Sequence, residues 1–113
     1  MKNKTSEINF NISLDDQNIP EKITWNASDK PSDSPSETDA ILVSLWDTTQ
    51  QNTLSMNLWS KDMSVDEMKR LCVDTIGGMA QSLRVATGDD FMADEMEELC
   101  QKLVTHVMKT TQK

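Results

Sequence analysis

From Glu7 to Leu14 the chain alternates, with Ile8, Phe10, Ile12 and Leu14 on one side and Glu7, Asn9, Asn11 and Ser13 on the other. That period-two pattern predicts a half-buried strand. Asp15, Asp16 and Asn18 supply turn chemistry ahead of Pro20, and Ile23, Trp25 and Ala27 then alternate with Lys22, Thr24 and Asn26. The result is a predicted β-hairpin, with Ile12 expected opposite Trp25 and Phe10 opposite Ala27 so that both apolar sets share one face. Residues 28–39, SDKPSDSPSETD, mix Ser, Pro and acids without periodicity, which predicts a mobile connector. Ala40 to Trp46 is apolar almost throughout, AILVSLW, and reads as a central strand covered on both faces. Beyond a polar turn at Asp47 to Asn52, Leu54, Met56 and Leu58 alternate with Ser55, Asn57 and Trp59. Pairing Leu45 with Leu54, Val43 with Met56 and Ile41 with Leu58 completes a second hairpin with all of these on the core side.

After a short turn the period changes. Ser64 and Glu67 have the Ser-x-x-Glu spacing of a capping box, in which each residue satisfies a backbone N–H of the other at a helix start. The stripe Val65, Met68, Leu71, Cys72, Ile76, Met79, Ala80 and Leu83 predicts a first helix from about Val65 to Thr87. Gly77 and Gly78 interrupt it at about 1 kcal/mol each relative to alanine, so a kink or a close backbone approach is expected there. Gly88 is a C-terminal stop, and Asp89 or Asp90 caps a second helix with the stripe Phe91, Met92, Met96, Leu99, Cys100, Leu103, Val104 and Val107. The expected fold is α+β in a single domain, 1–113: a four-stranded antiparallel sheet of two hairpins, with two C-terminal antiparallel helices packed on one face.

The formal net charge is −8, the wrong sign for nucleic acid or an anionic membrane surface. No stretch has the apolar length of a secretion signal or a membrane span, so a cytoplasmic protein with no membrane insertion is expected. Cys72 and Cys100 sit in helical stripes and read as reduced core thiols. Asp90, Asp94 and Glu98 share a helix face at i, i+4 and i+8. With no Asp-rich loop and no histidine partner they read as a solvated face, and no metal or cofactor is expected. The single histidine, His106, is expected to be exposed and inert. There is no phosphate loop, nucleophile motif or Cys/His pair with an orienting group, so no enzymatic activity is expected. The methionines are expected mainly to fill the core.

Alternation leaves Leu42, Trp46 and Trp59 on the outer face of the second hairpin. Large apolar side chains on a solvent face mark contact sites, and these three are the candidate protein-binding residues.

The segments SEINF (Ser6 to Phe10), IPEKITWNAS (Ile19 to Ser28), SLWD (Ser44 to Asp47), NLWSKDMSVDEMKR (Asn57 to Arg70), RVATGDD (Arg84 to Asp90) and MADEMEELC (Met92 to Cys100) resemble the GldC gliding-motility proteins of Bacteroidetes. The resemblance spans nearly the whole chain and implies a small cytoplasmic accessory of surface gliding, with no catalytic residues to carry over. The expectation is a non-catalytic scaffold that supports gliding machinery components through protein contacts, with a homo-oligomer as a second use of the outer face. The alternative is a SecB-like chaperone or client-binding module, an analogy resting on four strands followed by two helices, the acidic charge and the methionines.

Overall fold

The computed structural model describes residues 4–29 and 36–111. In chain order the elements are β1 (Ile8–Leu14), β2 (Pro20–Ala27), β3 (Ser36–Thr38), β4 (Ala40–Asp47), β5 (Asn52–Trp59), α1 (Val65–Thr87) and α2 (Asp90–Thr111). They form two compact units, Met1–Met63 and Ser64–Lys113, so strand signals and helix signals separate at the capping serine.

The expected α+β composition with two C-terminal helices is present, but the single four-stranded sheet is not. The strands form two sheets, β1-β2-β3 and β4-β5. The extra strand, β3, lies in the predicted connector, whose residues 30–35 fall outside the described ones. Its sequence, Ser-Glu-Thr, has no apolar pattern, and its pairing with β2 sets its conformation, with Ile23 opposite Thr38 and Trp25 opposite Ser36. The central strand is therefore β2 rather than β4. Ile23 is flanked by Ile12 on β1 and Thr38 on β3 and is fully buried.

In the first hairpin the register is displaced by two residues from expectation, with Phe10 opposite Trp25 and Ile12 opposite Ile23. A shift of two preserves the face of every side chain. The cause is the turn: Asp15 Oδ1 accepts from the Gln17 and Ile19 N–H groups, Asn18 takes φ 64°, and the pairing is irregular between Ser13 and Leu14 as Pro20 enters. The second hairpin has the expected register, with Leu45 opposite Leu54, Val43 opposite Met56 and Ile41 opposite Leu58. The two sheets meet where the chain changes partner at Asp39. The buried Ser60 donates its N–H to the Asp39 carbonyl at 2.7 Å and its hydroxyl to Asp39 Oδ1 at 3.2 Å, while the Lys61 N–H donates to the Pro20 carbonyl at 3.0 Å.

In the helical unit the capping box is complete. Glu67 N–H donates to Ser64 Oγ at 3.1 Å, and Ser64 N–H donates to Glu67 Oε1 at 3.0 Å. The hydrogen bond from the Ser64 backbone holds the Glu67 carboxyl below its ordinary value. Gly88 ends α1 in the left-handed region at φ 71°, and Asp89 caps α2 by accepting from the Met92 N–H at 3.0 Å. Ala80 on α1 and Ala93 on α2 are fully buried.

The glycine pair does not answer a close backbone approach. A Cβ on Gly77 would meet Cys100 Sγ at 3.7 Å, an ordinary contact, and one on Gly78 would meet nothing within 4 Å. Gly78→Ala is therefore expected to stabilise the helical unit by roughly 0.5–1 kcal/mol through helix propensity, read as a higher thermal midpoint of far-ultraviolet ellipticity. A lower midpoint would mean that the glycine answers a contact this geometry lacks.

Candidate functional site

Alternation in β4 and β5 gives the second hairpin two distinct faces. One carries the pairs Leu45–Leu54, Val43–Met56 and Ile41–Leu58; the other carries Trp46–Thr53, Ser44–Ser55, Leu42–Asn57 and Ala40–Trp59. The turn between the strands is built by Asp47, whose Oδ1 accepts from the N–H groups of Thr49 and Gln50, and by Gln51 at φ 56°.

The candidate contact residues share a face, as the pattern requires, but they do not make one continuous patch. Trp46 and the partner position of Trp59 are six residues apart on β4, or about 20 Å at strand rise. Ser44 and Ser55 lie between, their hydroxyl oxygens 3.5 Å apart. Leu42 is half-buried near Trp59, and Trp46 stands at the turn end; Trp46 is 61% exposed and Trp59 40%. The opposite face, expected to be covered, is also open toward the turn, with Leu45, Leu54 and Met56 all more than half exposed. Sequence reading missed this exposure because alternation distinguishes the faces of a strand without saying which of them is covered.

The charged groups are organised elsewhere. Lys61 Nζ bridges Asp15 Oδ2 at 3.1 Å and Glu21 Oε1 at 3.2 Å. Its pKa is raised by the hydrogen bonds to Asp15 and then Glu21, while that of Asp15 is lowered first by the Ile19 N–H, then by the Gln17 N–H and Lys61. In the helical unit Arg84 holds Asp90 at 2.8 Å, Asp94 at 2.8 Å and Glu97 at 2.9 Å, and its pKa is raised mainly by Asp94 and Asp90. Two acids of the predicted solvated face thus clamp the end of α1 to the first turns of α2, with Glu97 rather than Glu98 as the third. The spacing of acids at 90, 94 and 97 after a basic last-turn residue is the signal that could have shown it.

Two further expectations are corrected. Cys72 is exposed rather than buried, whereas Cys100 is half-buried with its Sγ 3.6 Å from the Val73 carbonyl; both are free thiols. Met56, Met79, Met92 and Met108 are exposed rather than core-filling. His106 is exposed. A cleft of about 380 Å³ between α1 and α2 has Val73, Val104, Val107 and Met108 in its walls and Asp66, Arg70 and Asp74 among its polar residues. A shallower groove collects Met79, Leu83, Met92 and Met96 above Gly78, Ser82 and Ala86. Among the described residues no helix is long and apolar enough to cross a membrane.

The family model described as gliding motility-associated protein GldC-like matches this chain over residues 20–109. No curated protein and no solved structure matches.

Proposed function

The chain belongs to the GldC-like family of gliding motility-associated proteins, and from that premise we propose that it is a non-catalytic cytoplasmic accessory whose β4–β5 hairpin binds a protein component of the gliding machinery. The observation that carries this reading is the exposure of Trp46 and Trp59 on one face of the hairpin. Aromatic anchors contribute a disproportionate share of interface energy because they bury large area at small entropy cost. Their separation implies a partner long enough to span both ends, with Leu42 supporting the Trp59 end. The exposed Met79 and Met92 beside an open groove favour the alternative of a client-binding module, since methionine adapts to varied apolar surfaces.

Capture from a gliding bacterium's lysate, with the native protein and the Trp46→Ser/Trp59→Ser variant as parallel baits, tests the proposal. A partner retained by the native chain should be lost by the variant at unchanged far-ultraviolet ellipticity. Equal retention by both would overturn the assignment of the hairpin face.

A further inference from the structure

The geometry points to a symmetric dimer in which β5 pairs antiparallel with β5 of a second copy, extending each two-stranded sheet into one of four strands in the order β4-β5-β5-β4. An isolated two-stranded ribbon is marginal in water and needs a third strand or a cover, and here the ribbon has no third strand among the described residues. Its sixteen strand residues include one charged side chain, Asp47. A long edge with neither charge nor proline is the kind that natural sheets avoid leaving open.

The two edges of the ribbon differ. β4 follows directly from β3, which is already paired with β2, and it ends at Asp47. β5 runs for eight residues with no charge, no proline and no irregularity in its register. Among the described residues the other uncharged edge strand, β1, belongs to a three-stranded sheet and breaks register between Ser13 and Leu14, a feature that discourages edge pairing.

Backbone direction sets the geometry of pairing. The Ser60 N–H bonds the Asp39 carbonyl, and antiparallel pairs alternate. Leu54, Met56 and Leu58 therefore direct their N–H and C=O groups toward β4, while Thr53, Ser55, Asn57 and Trp59 direct theirs outward. Matching apolar faces across a twofold axis requires a same-parity register. Only centring on Met56 sets Leu54 against Leu58 of the copy, Met56 against Met56, and Leu58 against Leu54. Ser55 then exchanges its backbone hydrogen bonds with Asn57 of the copy, and Trp59 lies over Thr53.

The occupant is a second copy because the contact is self-complementary and closes on itself. Two chains of net charge −8 repel over most of their surfaces, and the uncharged ribbon is where they can approach. This inference uses an edge of the sheet and does not rest on the partner reading, which uses a face.

The test combines mass and cross-linking of the purified full chain. Light scattering should give twice 12.8 kDa. In a Cys72→Ser/Cys100→Ser background, Met56→Cys should form a covalent dimer on mild oxidation, because opposed residues lie within disulfide reach, whereas Leu54→Cys alone should not. Ser55→Lys/Asn57→Lys changes two exposed side chains and places lysines opposite each other across the axis. It should weaken the dimer at least roughly tenfold with its ellipticity retained. A native chain of 12.8 kDa at high micromolar concentration would overturn the proposal. So would a dimer that is cross-linked through Phe10→Cys on β1 and not through Met56→Cys.

Discussion

Ile23→Ala is expected to lower the unfolding free energy of the strand unit by about 3 kcal/mol. Among the described residues Ile23 is the one large side chain that is fully buried, and it sits on the strand that has neighbours on both sides. Truncation removes the transfer free energy of the lost methyl and methylene groups and leaves a cavity between Ile12 and Thr38 that β-sheet backbones cannot easily close. Ile23→Val should cost about 1 kcal/mol, because most of the volume is kept. The readout is selective: the three tryptophans, Trp25, Trp46 and Trp59, all belong to the strand unit, so the urea midpoint of their fluorescence reports that unit. A fall in midpoint at constant slope is the expected result. A cost below about 1 kcal/mol would mean that the first sheet has no core centred on Ile23.

Ala93→Leu should have the next largest effect, a loss of about 2 kcal/mol from overpacking. Ala93 has no exposed surface, and it lies between Asp90 and Asp94, which Arg84 draws against the end of α1. The added isopropyl group there must displace a helix or force a poor rotamer. Leucine has nearly the helix propensity of alanine, so propensity cannot account for a loss. The control is Ala86→Leu, at an exposed position on α1, which should leave the unit unchanged within about 0.5 kcal/mol. Helical ellipticity is the appropriate signal because both helices fall in the unit beginning at Ser64. Equal stability of Ala93→Leu and Ala86→Leu would show that Ala93 is not enclosed.

What could be read from sequence depended on how local its cause was. The capping box at Ser64 and Glu67, the left-handed stop at Gly88 and the extent of α1 were legible because each is decided within a few residues. The β4–β5 register was legible because a short turn and an alternating strand leave one way to align Leu45 with Leu54. In the first hairpin the same reasoning found the face and missed the register, since the turn carries its own hydrogen bonds through Asp15 and admits an irregular step before Pro20. β3 was not legible at all, because three residues without apolar character become a strand only by lying beside β2. An apolar run such as Ala40 to Trp46 looks the same whether its strand is central or at an edge. That ambiguity is why the pattern suggested one four-stranded sheet where the strands form two. For the candidate site, the common face of Leu42, Trp46 and Trp59 could be derived, whereas their separation into two ends required the pairing with β5. The Arg84 clamp left its trace only in the spacing of the acids at 90, 94 and 97, because its partners lie six to thirteen residues away on another helix.

Gliding function through the hairpin face is tested most directly in cells. A gliding bacterium whose own copy of this gene encodes Trp46→Ser/Trp59→Ser should lose surface spreading while keeping the protein at its normal level. Normal spreading with the variant present at that level would contradict it.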